Sequence, residues 1–165
     1  MTPEIVLYDT TLRDGSQREG ISFSVLDKIH IARKLDDFGF HYIEGGWPGA
    51  NPKDNEFFQS MLAEGLKKSL LVAFGSTRKA GVTAEEDLNL KALLESGAPV
   101  VTLVGKSSSP QVAKVLATSC EENLRMVADS IAYLKSKGRE VFLDAEHFFD
   151  GYKTDKDYSL KVLEI

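Results

Sequence analysis

The feature that most constrains this chain is a repeated switch of hydrophobic period. Short runs of β-formers alternate with longer stretches whose apolar residues recur at helical spacing. Ile5 to Tyr8 reads as a short buried strand. Ser24 then precedes Val25 to Leu35, a helical pattern stopped by Gly39. His41 to Gly46 is the next predicted strand, and Asn51-Pro52 opens a helix through Phe57, Phe58, Met61 and Leu62 that ends near Gly65. Ser69 to Phe74 reads as strand, Glu85 to Leu94 as a helix stopped by Gly97, and Val100 to Val104 as strand. Pro110 to Leu134 is predicted helical in two parts, with Ser119 capping the second and Gly138 ending it. Glu140 to Glu146 is a fifth strand, and Lys156 to Ile165 begins a further helix.

Five βα steps with right-handed crossovers imply an α/β fold, either an open doubly wound sheet or part of an eight-stranded barrel. A complete barrel needs roughly 250 residues and rarely fewer than about 200. With 165 residues the chain is therefore expected to be a partial (βα)8 TIM barrel of about five βα units. Polar residues favour the barrel. Arg13, Asp14 and Gln17 follow the first strand, Glu44 ends the second, and Thr77 and Arg78 follow the third. Lys106 to Ser108 follow the fourth, and Glu146 with His147 ends the fifth. The opposite strand ends carry ordinary turn residues, which is the asymmetry of a barrel with its site on one rim.

Composition narrows the ligand class. The chain is 42% hydrophobic and 27% charged, enough apolar matter for one globular domain. A net charge of −5 argues against nucleic acid, which needs clustered Lys and Arg in excess. Small molecules are the expected partners. A single cysteine, Cys120, excludes an intrachain disulfide and a multi-cysteine zinc site. Met1 to Glu4 lack the pattern of a signal peptide and no apolar run reaches membrane-spanning length, so no membrane partner and a cytoplasmic location are expected.

Among the strand-end residues, Arg13 offers a fork for a carboxylate or oxyanion and Asp14 a hard oxygen for a divalent cation. The plain alternative is a surface ion pair in a turn. Glu44 and Glu146 are candidates for a functional role, weighed evenly against solvated strand-end carboxylates, with Glu146 expected to be partly buried. Gly45, Gly46 and Gly49 permit a close ligand approach or simply a tight loop. Arg78 and Lys106 are candidates for phosphate or carboxylate contacts, with a solvated surface position favoured. Ser107 to Pro110 begins a helix, with anion binding at Ser107 as a second role. Cys120 is expected to pack, and Trp47 to line the rim or cover the barrel end.

Leu12-Arg13-Asp14-Gly15-Ser16-Gln17, Glu44-Gly45-Gly46-Trp47-Pro48-Gly49 and Asp144-Ala145-Glu146-His147, in this order, resemble the metal-dependent TIM-barrel family of 2-isopropylmalate, homocitrate and citramalate synthases and HMG-CoA lyase. Asn51-Pro52-Lys53-Asp54 and Phe148-Phe149-Asp150-Gly151-Tyr152 look most like its (R)-citramalate synthase branch. The resemblance implies an acyltransferase of branched-chain amino-acid biosynthesis. Acetyl-CoA and pyruvate would condense in a Claisen-type step to (R)-citramalate and CoA. It implies Asp14 as ligand to Mg²⁺ or Mn²⁺, with Zn²⁺ a further option, and Arg13 facing the oxo-acid oxygens. Gln17 would donate to the substrate carboxylate, with Glu44 and Glu146 near the reacting centre.

The family completes its metal site with a His-x-His pair on a later strand, which is absent here: His30 and His41 lie elsewhere and His147 stands alone. The expectation is that residues 1–165 form the N-terminal part of a catalytic domain, inactive alone, whose open sheet edges drive homo-oligomerisation. Alternatives are a 2-isopropylmalate synthase, a lyase or aldolase on the same residues, and a non-catalytic half-barrel.

Overall fold

The computed structural model of the protein describes residues 5–165; Met1 to Glu4 lie outside the described residues. Five strands form one parallel sheet in the order β1-β2-β3-β4-β5, and the chain is a partial (βα)8 TIM barrel of five βα units. It divides into two compact units. One comprises the chain up to Phe74 with Ala92–Val101, the other Gly75–Lys91 with Thr102–Ile165. Among the described residues no helix is long and apolar enough to cross a membrane.

In the first unit, β1 (Tyr8–Asp9) pairs with β2 (Tyr42–Gly46), and β2 with β3 (Leu70–Ser76). The strand expected at Ile5 to Tyr8 is corrected: pairing begins only at Tyr8, and Ile5, Val6 and Leu7 are exposed. Among the described residues β1 has one neighbouring strand, so nothing covers its apolar approach. A register shift between Glu44 and Gly46 bends the end of β2 toward the following loop. Helix α1 (Val25–Phe38) starts at a reciprocal Ser24–Asp27 capping box and stops at Gly39, whose φ of 101° is left-handed. Helix α2 (Pro52–Glu64) has Asn51 as its cap and Pro52 in its first turn. Phe57, Phe58 and Met61 of α2 are buried with Leu12, Ile29, Ala32, Ile43 and Val72 in the core.

Gly45 is explained by that packing. A Cβ there would lie 2.5 Å from the Phe57 ring, so α2 can seat on β2 only over a glycine. At the strands' N-terminal side the buried Asp36 accepts the backbone N–H groups of Lys67, Lys68 and Ser69 at 2.9, 2.9 and 2.7 Å, fixing the entry to β3. Burial raises its pKa, but these three donors outweigh that and bring it down to about 2.

Helix α3 (Leu88–Glu95) begins three residues later than the pattern predicted. The Asp87 carboxylate accepts from the N–H groups of Asn89 and Leu90, which makes it the cap. Strand β4 (Val100–Lys106) leads to a short turn, α4 (Ser109–Gln111), and a π-helical turn at Val112–Leu116. Ala117, at φ 51°, separates these from α5 (Cys120–Ser136), confirming the two-part helix. Strand β5 (Glu140–Glu146) is mostly half-buried. Helix α6 (Phe148–Thr154) precedes α7 (Lys156–Glu164) and has no counterpart in the sequence reading. Its Gly151 explains the omission: glycine disfavours a helix, yet a Cβ here would collide with the Ser107 carbonyl oxygen.

Candidate functional site

The first unit builds its strand-end site around Arg13, four residues past β1. Arg13 N–H donates to Arg-Asp turn and strand neighbours alike: Nε to Glu44 Oε1 at 2.5 Å and Nη1 to Asp14 Oδ1 at 3.2 Å. Its guanidinium carbon lies 3.8 Å above the Phe74 ring, an arrangement that holds the plane of the fork. Glu44 is 1% exposed and its second oxygen accepts from the Tyr8 hydroxyl at 2.6 Å. A carboxylate buried this far needs such donors to remain in place. Arg13 is half-buried, and among the described residues its Nη2 meets no acceptor. The fork is thus anchored on one side and available on the other.

A cavity of about 340 Å³ adjoins it, lined by Arg13, Ser16, Gln17, Lys28, Trp47, Asn51, Lys53 and Asp54, with Ile21, Ser22, Phe23 and Ala50. Asp54 neutralises Lys28 and Glu44 engages Arg13 Nε, so the cationic donors left to the cavity are the outer Arg13 nitrogen and Lys53, which suit a small anion. Asp14 is exposed, with 63% of its side chain accessible. Gln17 ends a single 3₁₀ turn (Gly15–Gln17) and is exposed beside the cavity. The sequence therefore named Arg13, Asp14, Gln17 and Glu44, and the structure brings all four to the end of β1 and β2. Trp47 lines the same cavity, its ring edge-on to Phe74 with centroids 5.4 Å apart.

The second unit places Lys106 and Glu146 at the last positions of β4 and β5, joined by an ion pair. Burial lowers the Lys106 pKa, against an upward pull from Asp144. Glu146 is half-buried, as the apolar run before it implied. Ser107 is fully buried; its N–H donates to the Glu146 carbonyl at 3.0 Å and its own carbonyl accepts from Ser159 Oγ at 2.7 Å. The solvated position favoured for Arg78 is corrected: it is 5% exposed. Its Nε and Nη2 donate to Asp129 at 2.9 and 2.7 Å, and its Nη1 to Glu122 at 2.8 Å and to the Lys79 carbonyl at 3.2 Å. Burial pulls the guanidinium pKa down, but the bonds to Glu122 and Asp129 outweigh it and the net shift is upward. Glu122 in turn is lowered to about 2, chiefly by its bonds to Arg78 and Arg125.

Comparison with known proteins assigns the family. The HMGL-like family model matches residues 4–164. The chain belongs to the HMGL-like family. Over 158 residues it is 58% identical to an (R)-citramalate synthase of Streptomyces coelicolor, covering 95% of this chain and 30% of the relative. It is 55% identical over 164 residues to an (R)-citramalate synthase of Aquifex aeolicus, covering 99% of this chain and 31% of that protein. The chain thus spans about a third of the length of the curated relatives it matches. Among solved structures, an HMG-CoA lyase of Bacillus subtilis superposes with a TM-score of 0.68 at 16% identity, over 98% of this chain and 55% of its own. That likeness supports the barrel fold.

The HMGL-like family is metal-dependent, and the donors at the Arg13 end test how this segment serves that requirement. Asp14 offers one exposed carboxylate. Among the described residues no group of three or more His, Cys, Asp or Glu side chains lies together. One carboxylate oxygen set does not hold a divalent cation tightly, so these residues do not constitute a metal site by themselves. Four contributors escaped the sequence reading: Tyr8, Phe74, Lys28 and Asp54. Lys28 and Asp36 did leave a signal, since both fall with Ala32 at i, i+4, i+8 on the buried face of α1, where unpaired charges are not tolerated.

Proposed function

We propose that residues 1–165 form part of a catalytic barrel that condenses acetyl-CoA with pyruvate to give (R)-citramalate and CoA. The observation that carries this reading is the half-buried Arg13 fork, pinned by Glu44, stacked on Phe74 and open toward a cation-lined cavity. The citramalate synthase relatives name the chemistry such a fork would serve. In the reaction, the acetyl methyl loses a proton and the resulting enolate carbon attacks the ketone carbon of the 2-oxo acid. As that carbon–carbon bond forms, the ketone oxygen takes up the electron pair, and the fixed Arg13 donors stabilise its developing charge. Hydrolysis of the thioester then releases CoA.

Gln17 donates to the oxo-acid carboxylate from the adjoining turn, and Glu44 keeps the Arg13 plane aligned. Glu146, paired with Lys106, is assigned to proton relay. The anion contact expected of Ser107 is corrected: it is fully buried, its N–H donates to the Glu146 carbonyl and its carbonyl accepts from Ser159 Oγ, so it ties the loop after β4 to β5 and α7. Arg78 is assigned to holding α5 against the loop after β3 rather than to substrate, because both faces of its fork are engaged. Asp14 would supply one carboxylate to Mg²⁺ or Mn²⁺, whose chemistry in such a site would be to polarise the ketone. The exposed Ile5, Val6 and Leu7 before β1 favour self-association, which sedimentation at tens of micromolar would reveal as a species heavier than 18.2 kDa.

The deciding assay is CoA release from acetyl-CoA with Mn²⁺ and a panel of 2-oxo acids. It compares this chain with a form carrying the His-x-His strand. Turnover of the longer form with pyruvate ahead of 2-oxoisovalerate is expected; a preference for the branched acid would move the assignment to a 2-isopropylmalate synthase.

A further inference from the structure

The Arg13 fork is held by more than Glu44, and the second line of support starts in a buried ion pair that the proposed reaction does not use. Lys28 of α1 and Asp54 in the first turn of α2 are 4% and 8% exposed and bonded to each other. The other Asp54 oxygen accepts the backbone N–H of Trp47 at 2.9 Å. This geometry requires Gly46. Its φ of 150° and lack of a Cβ leave room for the Asp54 carboxyl, onto which any side chain at residue 46 would project. Asp54 therefore fixes where the chain leaves β2. The next residue it fixes is Trp47, whose ring meets Phe74 edge-on, and Phe74 is the surface on which the Arg13 guanidinium rests at 3.8 Å.

We propose that Asp54, held in place by Lys28, is a positioning residue for Arg13, acting through Trp47 and Phe74. The proposal rests on Arg13 being the substrate-facing group. A carboxylate in the first turn of a helix ordinarily serves the helix dipole alone. Here that role leaves unexplained why the carboxyl is buried, why it is matched by a buried lysine, and why it bonds to the strand-end loop. Each is accounted for if the pair sets the platform under the fork, since orientation errors of about 1 Å at a reacting group can cost on the order of 100-fold in rate.

Trp47 is the chain's single tryptophan, so its fluorescence reports the middle of this relay directly. Arg13 reactivity toward phenylglyoxal, read peptide by peptide in the mass spectrometer, reports its end. Two double variants separate the effects without stranding a buried charge: Lys28→Met with Asp54→Ala, and Lys28→Met with Asp54→Asn. The alanine form loses the Asp54 oxygen that accepts the Trp47 backbone N–H. It is expected to keep its far-ultraviolet dichroism, to shift Trp47 emission to the red and to label faster at Arg13. The asparagine form retains an oxygen acceptor and should restore both signals toward the parent.

Unchanged emission and labelling in a folded alanine form would overturn the proposal, as would an asparagine form no better than alanine. Should the alanine form not fold, Phe74→Leu gives an independent decision, because it leaves the Lys28–Asp54 pair intact: faster Arg13 labelling supports the relay, and parental labelling refutes it. Pyruvate titrated against Trp47 emission completes the set. A form carrying the His-x-His strand that ignores pyruvate in the presence of Mn²⁺ contradicts the proposed reaction while leaving the positioning result to stand or fall by the labelling. Where that form responds, its alanine variant is expected to bind about tenfold more weakly.

Discussion

Two arginines stand just past strand ends, Arg13 after β1 and Arg78 after β3, and they have opposite surroundings. Arg78 has carboxylates on both faces of its fork, a carbonyl on Nη1, and 6% of its side chain accessible. Arg13 has one buried carboxylate on Nε, a longer contact to an exposed one, an aromatic ring beneath it and a cavity beside it. Saturated donors make a structural tie. A fork fixed on one side and open on the other is pre-organised to receive an anion. Position at a strand end therefore does not make an arginine functional; the donors left over do.

The widest separation between the two should appear in stability. Arg78→Met removes the side-chain hydrogen bonds from a buried guanidinium to Glu122, Asp129 and the Lys79 carbonyl and is expected to cost about 2 kcal/mol in urea unfolding. Arg13→Lys keeps the charge beside Glu44 and loses only the fork and the stacking, for about 1 kcal/mol. Equal losses would erase the distinction. Acid separates the supporting carboxylates next. Asp36 and Glu122 both have folded pKa values of about 2, below their ordinary 3.8 and 4.5. Their contributions are complete above those ordinary values and disappear as pH falls through about 2. For the buried Asp36 the shift corresponds to ~2 kcal/mol, so Asp36→Asn should lose about that much at neutral pH and show a flatter acid limb. Glu122→Gln should flatten the same limb by loosening Arg78. The smallest effect is at Tyr8: Tyr8→Phe removes one donor from Glu44 and should cost about 1 kcal/mol, with no change at the Arg78 end.

Much of this comparison was legible in the sequence. The period switches located strands two to five, the helices after the first four and the helix starting at Lys156, and Asp14, Glu44 and Glu146 stood where strand ends put them. The misreadings share a physical cause, which is that a local pattern does not report tertiary partners. Arg78 looked like a solvated side chain because Glu122 and Asp129 lie more than forty residues away on α5. Gly45 and Gly46 read either as a ligand approach or as a tight loop, whereas Phe57 and Asp54 of α2 occupy the space that Cβ atoms there would need. Phe74, an ordinary strand residue by pattern, is the bed under Arg13. At Ile5 to Leu7 the apolar run promised burial that a single neighbouring strand does not supply.

The central claim is that Arg13, and not Arg78, meets the oxo acid. Calorimetric titration of pyruvate in the presence of Mn²⁺, run on the form carrying the His-x-His strand as the parent and on its Arg13→Lys and Arg78→Lys variants, tests it most directly. The account predicts that Arg13→Lys weakens binding about tenfold, as expected on losing a fixed, forked contact to an oxyanion, while folded Arg78→Lys binds like the parent. Parental affinity in Arg13→Lys, or a matching loss in folded Arg78→Lys, would contradict it.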